Sequence, residues 1–184
     1  KTSPKDPHGL PVYYKEIAAL AIPRMENKTI ADFQSVIDLS GCLHRGGRLS
    51  WDIPPGEWEI LRLVCAGTGE RLVLPSPNSG GLIIDHFNPA ATEMHFQYLI
   101  DKLQEELGDL RKTALKLLYL PSYEVTSYEK EKGWVWTPAL REEFKRRRGY
   151  DLAVYLPLLF GYTSRDNEVA QRFFFDFNLT LSDL

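Results

Sequence analysis

Cysteine is scarce in this chain: Cys42 and Cys65 are the only two in 184 residues. That excludes a disulfide framework. Neither has the CxxC or Cys/His spacing of a metal centre, which leaves two packed thiols or one bridge. No apolar run approaches the roughly 20 residues that a membrane helix needs. Lys1 opens a polar stretch with no basic region ahead of an apolar one, so no signal peptide is expected here. Positive charge is not in excess either, since the net charge is -3. Neither nucleic acid nor an anionic membrane is an expected partner.

Catalytic signatures are also few. No GxSxG surrounds a serine, and His8, His44, His86 and His95 stand alone in the sequence, which leaves nucleophilic-triad chemistry without support. Gly67-Thr68-Gly69 lacks the spacing and the Lys-Ser/Thr pair of a P-loop. Ser79-Gly80-Gly81 precedes a strand-like run instead of a helix. The run Lys145-Arg146-Arg147-Arg148 follows Glu142 and Glu143. It reads as a solvated helix end, where cations complement the helix dipole.

What is present suits a globular domain: 43% hydrophobic and 26% charged residues. Aromatic residues make up 12%; their faces serve sugar clefts and plain cores alike. After a Pro-containing tail, Val12 to Ile22 reads as strand or helix and ends at Pro23. Leu49, Trp51 and Ile53 alternate with polar residues, as in a strand. Pro54-Pro55-Gly56 reads as a turn and Trp58 to Val64 as the returning strand of a hairpin.

Beyond about residue 77 the pattern changes. Leu82-Ile83-Ile84 and Leu117-Leu118-Tyr119-Leu120 are short apolar runs, as expected of strands buried on both faces. Asn88 and Pro89 predict a helix start and Gly108 its stop, with Met94, Phe96, Tyr98, Leu99, Ile100, Leu103 and Leu107 on its apolar side. Thr137-Pro138 predicts a second helix through Phe144 to Gly149 by the same logic. Two more helices are expected, near Leu152 to Phe160 and from about Arg165 onward. Strand, helix, strand, helix with buried strands indicates parallel α/β architecture. The last helix is still running at Leu184 without a cap, so the chain reads as cut.

In parallel α/β folds reactive groups collect past the C-terminal ends of strands. That rule selects Asp85-His86-Phe87-Asn88 and Ser122-Tyr123-Glu124. Partial burial there raises a carboxyl pKa and fits it for proton donation. Acids at strand ends also cap helices and anchor loops, so both readings stand for Asp85 and Glu124. His86 and Asn88 are candidate ligand contacts. Trp134 and Trp136 lie in the loop before Thr137-Pro138, where an indole stacks on a sugar or packs the loop down.

Several segments together resemble a known family. LKLLYLPSYEV, WTPALREEFKRRRGYDLAVYLPLLFGY and EVAQRFFFDFNLTLSDL are similar to family 106 glycoside hydrolases, the α-L-rhamnosidases of gut and soil bacteria. PPGEWEILRLVCAGTG and GGLIIDHFNPAATEMHF resemble the corresponding β segment and first barrel strand. The resemblance covers roughly residues 47 to 184. It implies a (β/α)8 barrel with accessory β domains, inverting hydrolysis of α-L-rhamnosides, and a calcium ion associated with the site. The family's strand-end motif, Asp-Ser-aromatic-Glu, falls on Pro121-Ser122-Tyr123-Glu124, so Glu124 takes the place of the general acid. In the Gly-Leu-Glu-x-Asp motif Ile83 replaces the acid while Asp85 matches. These two departures remove acidic side chains near the site.

The fold expected is therefore α/β: the first strand–helix units of a (β/α) TIM-type barrel over residues 77–184, apparently truncated, behind a β-rich segment over residues 1–76. Such a barrel takes about 250 residues, so the catalytic base is expected outside this chain. The isolated chain is then expected to be inactive and to self-associate through uncovered apolar surface. The resemblance implies a rhamnose-containing oligo- or polysaccharide as partner, and a periplasmic or secreted location in a bacterium. The alternative is a non-catalytic carbohydrate-binding or structural relative of such enzymes. Asp85 and Glu124 are expected on one rim of the sheet.

Overall fold

The computed structural model describes residues 12–68, 71, 77, 81–117 and 133–184. It is a mixed α/β structure with small sheets and two compact units. One unit combines Lys1–Thr68 with Pro138–Leu184, and the other is Gly69–Thr137. The return of residues 138–184 to the N-terminal unit is not part of the sequence expectation. Trp51 and Trp58 consequently share a unit with helices.

The first unit is organised around strand β1 (Tyr14–Pro23). Ala18 to Ile22 are all buried. Since strand side chains alternate between faces, both faces of β1 are covered. Short β2 (Thr29–Ile30) and β3 (Ile37–Asp38) follow, then β4 (Trp58–Ala66). β1 is central in the antiparallel order β3-β1-β4, with Leu20 opposite both Asp38 and Leu61. On one face Ala19, Ala21 and Leu39 pack with Ile37, Cys42, Leu49, Trp51 and Trp58.

The expected hairpin is corrected by this pairing. Trp58–Ala66 is a strand, but its partner is β1 and not residues 49–53. Leu49 makes an isolated bridge to Leu43. β1 offers a long apolar partner, whereas Pro54 and Pro55 bring no N–H donors to a ladder. The segment packs through side chains instead. The Trp51 ring meets Trp58 edge-on at 5.5 Å, and Trp58 Nε1 donates to the Pro54 carbonyl at 3.2 Å.

Helix α2 (Leu140–Arg148), a 3-10 helix (Ala153–Phe160), β5 (Thr163–Ser164) and α3 (Asn167–Asp183) complete this unit. β5 runs parallel to β2, with Thr29 opposite Thr163. Gly149 ends α2 at φ 81, a left-handed conformation that side chains disfavour. Asp166 caps α3 by accepting from the Glu168 amide at 2.9 Å. Phe144, Phe173 and Phe177 fill the interior with Tyr150 and Tyr155.

The charged residues after α2's first turn are structural. Glu143 accepts from Arg146 at 2.6 Å and from Arg147 at 3.0 Å. Arg148 donates to Thr180 at 3.0 Å and pairs with Asp183. The Tyr150 hydroxyl donates to Asp176 at 3.0 Å. Burial, and then that carboxylate, raise the Tyr150 pKa above its usual value.

One guanidinium joins the two sequence segments of the unit. Arg141 Nη2 reaches Asp38 Oδ2 at 2.6 Å and Asp151 Oδ2 at 2.9 Å, while its Nε reaches Asp151 Oδ1 at 3.0 Å. Asp38 also accepts from the Ser40 amide at 2.9 Å, and Asp151 from the Ala153 amide at 2.9 Å. Burial opposes the charge on both acids. For Asp38 the Ser40 and Arg141 hydrogen bonds outweigh it, and for Asp151 those of Arg141 and Ala153 do, so both carboxyls titrate below their usual range.

The second unit holds α1 (Pro89–Leu107). Its ends are as expected: Asn88 caps it, Pro89 opens it, and Gly108 (φ 73) stops it. No residue of α1 is buried, however, and Met94 and Tyr98 are 69% and 63% exposed. Leu82-Ile83-Ile84 is also not the doubly buried strand expected. Leu82 makes an isolated bridge to Arg71, and Leu82 and Ile83 are 51% and 40% exposed. A continuous apolar run favours a buried strand only where neighbours flank it, and no ladder flanks this one among the described residues. Leu117 is exposed, and residues 118–120 of the second expected strand lie outside the described residues. The parallel strands of a barrel are thus not formed among the described residues, whose parallel pairing is β2 with β5. No described helix is long and apolar enough to cross a membrane.

Removing the guanidinium leaves two part-buried carboxylates facing each other. Arg141→Leu is expected to destabilise the chain by about 1–3 kcal/mol at neutral pH, less than a fully buried pair because all three groups keep some exposure. A carboxyl whose pKa is depressed on folding stabilises above its unfolded value near 3.8. That contribution is lost as pH falls through the lower folded value. Urea unfolding at pH 7 and pH 3 therefore shows a larger difference for wild type than for Arg141→Leu.

Candidate active site

The second unit brings together part of the set selected from sequence. The turn after Ile84 closes when the Asn88 amide donates to the Asp85 carbonyl at 3.1 Å. Asp85 Oδ1 accepts the Phe87 amide at 3.1 Å, an Asx-type turn that fixes the side chain over its own backbone. Asn88 Oδ1 accepts the Ala90 amide at 3.1 Å and so starts α1. Asp85 and Asn88 are half-buried and His86 is exposed.

Asp85 has a second, distant partner. Thr137 Oγ1 donates to Asp85 Oδ2 at 2.7 Å across 52 positions. This corrects the expected cap. α2 starts at Leu140 after Ala139, with no side-chain capping bond, so neither Thr137 nor Pro138 plays the role read from the sequence. Thr137 is buried, and a buried hydroxyl needs a partner. The carboxylate of Asp85 accepts its hydrogen bond, and a bond to a charged acceptor is the stronger kind. The loop carrying Trp134 and Trp136 leads directly into this residue; Trp134 is exposed and Trp136 half-buried.

Glu124, with Pro121, Ser122 and Tyr123, lies outside the described residues, and so does its expected approach to Asp85. Calcium takes six to eight oxygen ligands. Among the described residues no group of three or more His, Cys, Asp or Glu side chains gathers to supply them. The described residues do not assemble a calcium cage, and the chemistry below uses protein groups alone.

Thr137 is the site residue that sequence reasoning missed. A threonine before proline scores as a helix start, and nothing local marks a bond to a residue 52 positions back. The unsatisfied need lay with Asp85, an acid at a turn with one local donor.

Comparison with known proteins adds identity to this geometry. The alpha-L-rhamnosidase family, glycoside hydrolase family 106, matches residues 5–184. A rhamnosidase of Novosphingobium sp. PP1Y, whose structure is solved, superposes with a TM-score of 0.68 at 32% identity, over 83% of this chain and 14% of that one. A protein of Formosa agariphila, provisionally named a beta-glucuronidase, is 33% identical over 202 aligned residues, covering 94% of this chain and 17% of its relative. The chain thus spans about a sixth of the length of these two relatives.

The Asn88 cap has a direct consequence for α1. Asn88→Ala is expected to destabilise the helix start by about 1 kcal/mol, seen as faster amide hydrogen exchange at residues 90–92 with the end near Gly108 unchanged.

Proposed function

The chain belongs to glycoside hydrolase family 106, the alpha-L-rhamnosidases, and from that premise we propose that residues 77–184 open a (β/α) barrel that hydrolyses α-L-rhamnosides with inversion. The substrate is an oligo- or polysaccharide containing rhamnose. Glu124 acts as general acid and gives its proton to the glycosidic oxygen as the bond to the anomeric carbon breaks. A second carboxylate, which we place outside these 184 residues, removes a proton from the attacking water on the opposite face. Such pairs stand roughly 6.5–9.5 Å apart to admit that water. Asp85, His86, Asn88, Trp134 and Trp136 contact the sugar. The observation that carries this reading is the family match across nearly the whole chain.

The Formosa agariphila relative bears the name of an enzyme for a different sugar. Glucuronides carry a carboxylate where rhamnosides carry a methyl group, so the two substrates separate cleanly in an assay. We place the protein in the periplasm or outside a bacterial cell. Met94 and Tyr98, one turn apart on α1 and both exposed, support association of the isolated chain with itself. Sedimentation is expected to show dimers or larger species that Met94→Lys with Tyr98→Lys disperses.

The decisive experiment is an assay on aryl α-L-rhamnoside and aryl β-glucuronide. The isolated chain is expected to turn over neither. In a longer protein that carries this chain within a complete barrel, Glu124→Gln is expected to lower kcat on the rhamnoside by about 10²–10⁴-fold. Turnover by the isolated chain that vanishes in its Glu124→Gln variant would show that the base lies within these residues.

A further inference from the structure

We propose that Thr137 is a positioning residue that presents Asp85 as a two-point acceptor for a pair of neighbouring sugar hydroxyls. The inference rests on the glycoside hydrolase reading above and adds to it the residue that fixes the acid and the part of the sugar that is recognised. It starts from a buried threonine hydroxyl that caps no helix and donates to Asp85 Oδ2 at 2.7 Å. The other carboxylate oxygen accepts the Phe87 amide at 3.1 Å.

An ionised carboxylate offers about four lone-pair positions, two on each oxygen. The donors at Asp85 fill one position on Oδ1 and one on Oδ2. Among the described residues these are the donors to Asp85, so each oxygen keeps an acceptor position for a ligand. Two adjacent hydroxyls of a pyranose ring present paired O–H donors that match such an edge, as the two N–H groups of a guanidinium do.

The two protein bonds do more than occupy lone pairs. With Oδ1 tied to its own turn and Oδ2 tied to Thr137, the carboxylate cannot rotate. Its open edge is therefore set before a ligand arrives, which removes an ordering cost from binding. Thr137 also ends the segment that carries Trp134 and Trp136. The same bond thus anchors the end of a loop bearing two indoles, and indoles suit the apolar face of a sugar as a carboxylate suits its polar rim.

Nitrogen-15 NMR titration of the 184-residue chain with methyl α-L-rhamnoside tests this, in wild type, Thr137→Val, Thr137→Ser and Asp85→Asn. Thr137→Val and Asp85→Asn are each expected to weaken binding about tenfold, and Thr137→Ser to restore it to within about threefold. Rhamnosides lacking one of two neighbouring hydroxyls supply a second axis. One such analogue is expected to bind wild type about tenfold more weakly than the parent sugar, but Thr137→Val less than about threefold more weakly, because groups acting as a unit are not additive. If Thr137→Val fails to fold, judged by the dispersion of its spectrum, Asp85→Asn and Thr137→Ser carry the same comparison. Unchanged binding on losing the Thr137 hydroxyl, or losses that simply multiply, would overturn the inference and leave the functional reading standing. A wild-type chain that shows no shifts with any rhamnoside would overturn the inference, whereas the functional reading is overturned by a complete-barrel protein that hydrolyses no rhamnoside.

Discussion

The guanidinium of Arg141 ties the two sequence segments of the first unit together. It lies between Asp38, at the end of β3, and Asp151, at the start of the 3-10 helix. Each acid also binds backbone or hydroxyl donors of its own segment, so the ion pairs lock pieces that are already shaped locally. Around this link the apolar groups arrange themselves: β1 buried on both faces, Phe144 of α2 edge-on to Tyr150, and Phe173 of α3 stacked on Tyr155. The motif residues that carry the family resemblance, from Arg141 through Arg148, Tyr150 and Asp151, serve this unit as ion pairs, caps and ring contacts. Their chemistry is architectural.

Local features of the fold were legible in the sequence, and non-local ones were not. Asn88-Pro89, Gly108 and Gly149 were read correctly because caps involve neighbouring backbone groups alone. Residues 58–64 were read correctly as strand, because strand character is written in the residues themselves. The partner was misread, because a proline-rich turn suggested the nearest segment while the longer apolar face of β1 lay some 40 residues back. Leu82-Ile83-Ile84 has the composition of a buried strand, but composition does not supply the flanking strands. The pairing of β2 with β5 joins two-residue strands too short to leave any periodic trace.

The candidate site follows the same division. Asp85 stands out because of its place after an apolar run, and it does sit at a turn leading into a helix. Its bond to Thr137 could not be read, since the same threonine satisfies a simpler local rule. A capping hydroxyl accepts and the Thr137 hydroxyl donates, and one residue type offers both. Only the three-dimensional path of residues 133–137 decides between them.

The separation between Asp38 and Arg141, 103 positions, also sets a schedule for biosynthesis. At roughly 5–20 residues per second, a ribosome adds the arginine about 5–20 s after the aspartate. Once β1 has left the exit tunnel it waits without the segment that completes its unit, and Ala18 to Ile22 form an apolar stretch not yet covered. Chaperone capture of the nascent chain therefore falls in a defined window, which closes when residues 138–184 leave the exit tunnel.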